Sequence, residues 1–204
     1  MSEYTMWDIE QSYYDKGIHL ICGVDEAGRG PLAGPVCAAA VILPPNIEIP
    51  GLNDSKKLSD KRRRELFPVI KEQAIAYSVA FADHKEIDDI NILQATYLAM
   101  ERAISGLKIK PELALIDGNR AKDFGIPVQP VVHGDSLSAS IAAASILAKV
   151  TRDDHMLQMA QEYPQYGFEI HKGYGTKAHY SALAEHGPCL IHRMTFLKKL
   201  YGTE

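Results

Sequence analysis

Only three cysteines, Cys22, Cys37 and Cys189, occur in the 204 residues. Their odd number and the lack of any C-x-x-C pair argue against a disulfide framework and a cysteine zinc site. A reducing cytoplasm is the setting this suggests. Long apolar runs are missing as well: the longest, residues 36–43, falls far short of the roughly 20 residues that cross a bilayer. The opening stretch MSEYTMWDIEQSYYDKG has neither the basic start nor the apolar core of a signal peptide. Basic surplus is lacking too. With a formal net charge of -4, any nucleic-acid binding has to rest on local basic patches or on metal ions. The chain contains no internal repeat, low-complexity tract or linker. Hydrophobic residues at 46% and charged residues at 24% lie near the globular average, so one folded domain over 1–204 is expected.

What the chain does hold is a series of short apolar segments. Residues 19–24, closed by Asp25, Glu26 and a glycine-rich turn, and residues 35–43, rich in Val and Ala, both read as strands. Between 74 and 81, Ile75, Tyr77, Val79 and Phe81 alternate with Ala and Ser, the period of a strand with two unlike faces. Residues 113–116 form another strand, ending at Asp117-Gly118-Asn119. The apolar segment 128–132, broken by Pro130, precedes Gly134-Asp135-Ser136. A helix is expected over 60–73 behind the N-cap Ser59, with a kink or early stop at Pro68. A second follows over 92–107 behind Asn91, and a third over 176–186, stopped by Gly187-Pro188. Residues 195–201 offer a short last one. The stretch 137–163 lacks Gly and Pro and repeats Ala, Ser, Leu and Ile at helical spacing, so it is the longest helix expected. Its Ala/Ser-rich half suits close packing on a sheet.

Acidic residues follow apolar segments at three separate places. The pair Asp25-Glu26 runs into Ala27-Gly28-Arg29-Gly30-Pro31. Strand neighbours point to opposite faces, so both acids serve one site only where the strand ends and the chain turns. Gly28 and Gly30 supply that turn. An isolated Asp-Glu pair reads more simply as a solvated loop. Asp117 beside Gly118 and Asp135 beside Gly134 weaken that reading, because strands ending on one side of a sheet gather all four acids. Clustered carboxylates raise one another's pKa unless cations neutralise them. Oxygen-only ligation favours Mg2+ or Mn2+. Carboxylate metal sites most often handle phosphates, where two ions roughly 4 Å apart activate the attacking water and stabilise the leaving oxygen. Phosphoryl transfer is the natural reaction class.

Five longer runs, with HRMTF at 192–196 behind them, carry a resemblance. VDEAGRGPLAGPV at 24–36, NDSKKLS at 53–59, LIDGN at 115–119, HGDSLSASIAAASILAKVTRD at 133–153 and HKGYGTKAH at 171–179 closely resemble bacterial ribonuclease HII along nearly the whole chain. The resemblance implies a ribonuclease H-like α/β fold, a mixed central β-sheet flanked by helices, with a small C-terminal helical part at about 164–204. It implies a metal centre of Asp25, Glu26, Asp117 and Asp135 holding Mn2+ or Mg2+. Three of these acids would bind the principal ion, and the fourth would assist a second ion or position water. It further implies that Gly28, Arg29 and Gly30 read the ribose 2'-OH through their backbone, consistent with that hydroxyl being what separates RNA from DNA. Tyr174 would stack on the sugar beside the cut, and Lys56 would contact a phosphate. The activity implied is hydrolysis of the RNA strand of RNA/DNA hybrids and cleavage 5' of single ribonucleotides in duplex DNA, leaving 3'-hydroxyl and 5'-phosphate ends. Its role would be ribonucleotide removal.

Lys57, Lys61, Arg62, Arg63 and Arg64 extend a basic stretch that reads either as a solvated helix face or as a DNA contact. His171, Lys172, Lys177 and His179 offer a second small phosphate-binding patch, and the other histidines read as surface or packing residues. A hybrid duplex, or DNA containing ribonucleotides, is the expected partner of a monomer, without membrane contact. Recruitment through a C-terminal tail is not expected, since the chain stops at Glu204 soon after HRMTF. Two other readings compete. Another two-metal nuclease or phosphotransferase would share the acids without needing the glycine turn and Tyr174 together. A non-catalytic hybrid-binding module should lack one of the four acids, and this chain keeps all four.

Overall fold

The computed structural model describes residues 5–201. Its strands are β1 (Ile21–Ala27), β2 (Val36–Ile42), β3 (Ala76–Ala82), β4 (Leu113–Asp117) and β5 (Val128–Val131). Its helices are α1 (Asp8–Tyr14), α2 (Asp60–Gln73), α3 (His84–Ser105), α4 (Gly134–Leu137), α5 (Ala139–Glu162), α6 (Phe168–His171), α7 (Lys177–His186) and α8 (Lys198–Tyr201). The strands form one sheet in the order β3-β2-β1-β4-β5. The strand pairs β1/β2 and β2/β3 are antiparallel, whereas β1, β4 and β5 run parallel. This is the mixed α/β sheet flanked by helices that the sequence implied.

The pleat divides the core between two faces. Cys22 and Val24 of β1 and Val36, Ala38 and Ala40 of β2 face α3 through Ala95, Ala99 and Met100. Cys37, Ala39 and Val41 point the other way, toward Leu66 and Ile70 of α2 and Ala143, Ile146 and Leu147 of α5. All seven residues of β2 are buried, which explains why this strand reads as an unbroken apolar run. Gly23 brings α5 closest to the sheet. A Cβ there would stand 2.1 Å from the carbonyl carbon of Ser140, so the Ala/Ser-rich start of α5 lies directly on the β1 backbone. A separate cluster of Leu32, Ala33, Met156, Tyr166, Phe168, Leu183 and Leu197 ties the C-terminal segment to the loop after β1 and to the far half of α5.

Several elements depart from the sequence reading. The longest helix expected, over 137–163, is present as α5 but starts two residues later, because Ser138 is extended (φ -128°, ψ 127°) and separates it from α4. The Ser138 hydroxyl donates to Glu10 Oε1 at 2.6 Å and accepts from Ile141 N at 3.2 Å. It is an N-cap, a role that apolar spacing does not reveal. Glu10 lies fully buried on α1, a helix the sequence reading did not include, and its carboxylate also accepts from Ser140 N at 3.1 Å. Helix α2 passes through Pro68 without stopping, held by the burial of Leu66 and Ile70. Pro130 sits inside β5, where an edge position spares it a ladder hydrogen bond. Asn91 leaves the helical region (φ 68°, ψ 164°) and caps the following turns, accepting from Leu93 N and Gln94 N as expected of it. A further helical stretch precedes it, opened by a capping box between Asp83 and Glu86.

Candidate active site

Strands β1 and β4 pair from Ile21 opposite Leu113 to Val24 opposite Ile116, and the ladder ends there. Asp25 and Glu26 come next on β1, and Asp117 closes β4. The carboxylates therefore stand where parallel strands splay at their carboxyl ends, the general ligand position of open α/β sheets. Asp135 arrives on α4, just after β5. One oxygen from each of Asp25, Asp117 and Asp135 lies within 4.8 Å of the others. Backbone donors hold two of them: Glu26 N to Asp25 Oδ1 at 2.7 Å, and Gly134 N to Asp117 Oδ1 at 2.8 Å. Ser145 of α5 hydrogen-bonds Asp25 and touches the Ser55 hydroxyl at 2.6 Å. Glu26 leans out of the group and accepts from Arg29 Nη1 at 3.2 Å.

These acids repel one another in a buried setting. Burial first, and then the charges of Glu26 and Asp117, push the Asp25 carboxyl well above the usual carboxylate range. Burial and the charge of Asp135 raise Asp117. Burial also raises Glu26, against the opposing pull of Arg29. Lys56 places its ammonium 3.0 Å from Asp135 Oδ2. Partial desolvation works against that charge, but the bond to Asp135 and the fields of Asp25 and Asp117 hold the Lys56 pKa above its usual value. Three oxygen donors, two buried and that of Asp117 half-buried, suit a divalent cation. No other group of His, Cys, Asp or Glu among the described residues has this geometry.

Beside the acids, Gly28 (φ 97°) turns the chain. Two arginines with no exposed surface, Arg152 and Arg193, lie under this turn. Arg193 donates to Gly28 O at 2.6 Å, Arg29 O at 2.9 Å and Gly34 O at 2.9 Å. Arg152 donates to Pro35 O at 3.0 Å, Lys172 O at 3.2 Å and Ala33 O at 3.3 Å. A Cβ on Gly28 would sit 1.9 Å from Arg152 Nε, so glycine is required there on two counts. The backbone N–H groups of Arg29 and Gly30 donate to no group among the described residues, and both residues are exposed. Tyr174 stands next to Gly30, half-exposed, with its ring centroid 5.8 Å from the Arg152 guanidinium carbon. One stripe of α5, Ser145, Lys149, Arg152 and Met156, thus supports Asp25, the cleft wall, the glycine turn and Gly34 in succession. A cleft of about 240 Å³ joins Asp25, Glu26 and Asp117 to the turn and to Tyr174, with Lys56, Arg63 and Lys149 also on its walls. A larger concavity of about 600 Å³ near Asp88 and His192 lies apart from these acids.

Not every residue singled out from the sequence joins this cleft. Arg62 donates to Pro50 O and Arg64 pairs with Asp60 and Asp154, both away from it, whereas Arg63 reaches its wall while donating to Ser55 O and Leu58 O. His171 and His179 are buried, which rules them out of a surface phosphate patch. They belong instead to a histidine network behind Tyr174. His192 Nδ1 accepts from Cys189 N at 2.9 Å, which assigns its proton to Nε2, facing His179 Nε2 at 3.0 Å. His179 Nδ1 in turn donates to Tyr174 O at 3.0 Å. Burial lowers the pKa of both rings, that of His192 to about 4. Sequence reasoning missed Ser145, Arg152 and Arg193 as parts of the site, whereas His192 is the packing residue it was read as. The available signal was a pair of arginines in apolar surroundings within runs already singled out.

Residues 22–199 match the sequence profile of the family described as ribonuclease HII. A ribonuclease HII of Endomicrobium trichonymphae is 57% identical over 194 residues, covering 94% of this chain and 92% of that protein. One of Vibrio campbellii is 55% identical over 193 residues, covering 94% and 91% respectively. Among solved structures, ribonuclease H2 of Pyrococcus horikoshii superposes with a TM-score of 0.72 at 29% identity, covering 86% of this chain and 92% of that one. The ribonuclease HII of Archaeoglobus fulgidus, solved in complex with PCNA, gives 0.72 at 26% identity, covering 86% and 94%. With identity above half along nearly its whole length and the same sheet beneath its acids, the chain belongs to the ribonuclease HII family, hydrolases that cleave the RNA strand of RNA/DNA hybrids.

Proposed function

We propose that the protein cuts on the 5' side of single ribonucleotides embedded in duplex DNA, as well as within longer hybrid tracts. The observation that carries this reading is the adjacent pair of free N–H donors on Arg29 and Gly30, in a cleft continuous with the three-acid cluster. A ribose 2'-hydroxyl is an acceptor that two such donors bind, and it is absent from DNA. Tyr174 packs against the sugar of the same nucleotide. Lys56, Arg63 and Lys149 line the path of the phosphates and supply locally the positive charge that the chain lacks overall.

Asp25, Asp117 and Asp135 would hold a divalent cation, Mg2+ or Mn2+, and Glu26 stands beside them to serve a second ion or to orient water. Bound there, such ions would activate the attacking water and neutralise charge at the leaving oxygen. The 2'-hydroxyl is only read, so the products carry 3'-hydroxyl and 5'-phosphate ends. The enzyme works as a single catalytic domain, a monomer of the cytoplasm. The test is end-mapped cleavage of a duplex with one ribonucleotide, with and without EDTA. A 2',3'-cyclic phosphate product, or full activity in EDTA, overturns the reading.

A further inference from the structure

The six carbonyls that Arg152 and Arg193 gather come from two separate places, residues 28–35 after β1 and Lys172 beside Tyr174. Both guanidiniums are fully buried, and among the described residues neither is paired with a carboxylate. Two neighbouring buried cations without counter-ions are expensive. Desolvation and then the charge of Arg152 pull the Arg193 pKa down to about 9, which leaves it charged at neutral pH. Neutral donors would satisfy the same carbonyls at lower cost. A planar guanidinium does something that they do not: its fork grips two consecutive carbonyls in one fixed orientation. In a trans peptide the C=O and the following N–H point in opposite directions. Because Arg193 pulls Gly28 O and Arg29 O inward, the N–H groups of Arg29 and Gly30 are forced outward, and these are the two donors left free.

We infer that Arg193 is a specificity-determining positioning residue: it touches no substrate, but by holding the carbonyls of Gly28 and Arg29 it aims the two donors that select ribose over deoxyribose. Arg152 extends the clamp to the Tyr174 loop, so that turn and ring move as one reading unit. This rests on the reading that the Arg29 and Gly30 amides bind the 2'-hydroxyl.

The experiment compares affinities for two duplexes of the same sequence, one with a single ribonucleotide and one all-DNA, in EDTA so that neither is cut. Wild type, Arg193→Lys and Arg193→Gln are measured, with thermal melts and Mn2+ titrations alongside. Lysine keeps the charge and loses the fork, whereas glutamine removes the buried charge and keeps an amide donor. The wild type is expected to prefer the ribonucleotide duplex. Folded variants should lose that preference at least tenfold, while all-DNA affinity and Mn2+ binding stay within about twofold. A folded variant that keeps the wild-type preference overturns the inference. So does failure of both variants to fold, which would make Arg193 a residue of the fold alone. Absence of any preference in the wild type would instead sink the underlying reading of the glycine turn.

Discussion

The Lys56 ammonium sits 3.0 Å from Asp135 Oδ2, a lysine largely in solvent paired with an almost fully buried acid. It occupies the electrostatic role that a cation would take, so it would compete with a metal for Asp135 and would be freed toward phosphate once one bound. Lys56→Ala should therefore tighten Mn2+ binding by a few fold, read by calorimetric titration. It should also weaken duplex binding and reduce the salt slope by about one. Unchanged values in both measurements would show that the pair is incidental.

Asp25→Asn removes one charge from the repelling cluster while preserving shape. Its carboxyl is destabilised in the folded state, by burial and by Glu26 and Asp117. The metal-free variant should thus melt higher, by about 3 °C for each ~1 kcal/mol of relief. Cleavage should be abolished, and the gain in melting temperature that Mn2+ gives the wild type should disappear. Near wild-type turnover would remove Asp25 from the metal centre.

Tyr174→Ala should lower cleavage at a single ribonucleotide by on the order of a hundredfold through loss of positioning. Tyr174→Phe, which keeps the ring over Arg152, should fall between Ala and wild type. Mn2+ titration should not distinguish the three proteins. Equal cleavage by Tyr174→Ala at subsaturating substrate would reduce the residue to a packed surface aromatic.

The buried His192 gives stability a pH dependence of known sign. Its folded pKa lies at about 4, below its ordinary value of 6.5. Between those values the unfolded chain binds a proton that the folded chain refuses, so this contribution is complete above pH 6.5 and falls as the pH drops toward 4. The raised carboxyls of Asp25, Glu26 and Asp117 act in the opposite direction, taking up protons first in the folded state. Comparing wild type with His192→Gln isolates the histidine. Their stability difference should shift against the wild type by about 2 kcal/mol between pH 7 and pH 5 in denaturant titrations. A constant difference would mean that the ring is already charged or exposed.

Gly23→Ala places a methyl group 2.1 Å from the Ser140 backbone. Neither the strand nor the helix can yield as a side chain would, so a loss of about 3 kcal/mol and ~10 °C is expected. A melting temperature within two degrees of wild type would show that α5 is free to slide.

Much of the architecture was legible because it is written in period. The alternation from Ile75 to Phe81 and the unbroken apolar run of β2 each carried their strand. The Asn91 cap and the Ala/Ser stretch likewise carried their helices. What escaped was written in single hydrogen bonds. Ser138 sets where the longest helix starts by capping it, and its partner Glu10 lies over a hundred positions away. The four acids could be named from their place after apolar segments. That Glu26 turns to Arg29, and that Lys56 turns to Asp135, depends on distances that no local pattern encodes. The histidines of the HKGYGTKAH run looked like a surface patch because charge type is visible in sequence and burial is not.

The stripe of α5 from Ser145 to Arg152 spans seven residue steps, about 10 Å of helix at 1.5 Å per step. One end steadies Asp25 of the acid cluster, and the other steadies the Gly28 turn proposed to read ribose. The two operations share a single rigid rod, whose backbone hydrogen bonds stretch far less than any loop. On the proposed reading, the spacing between recognised sugar and severed bond would be gauged by the helix, and an enzyme so built would cut at one fixed offset. A one-residue insertion in this stretch would rotate one end about 100° relative to the other, so the two ends could no longer both face the cleft.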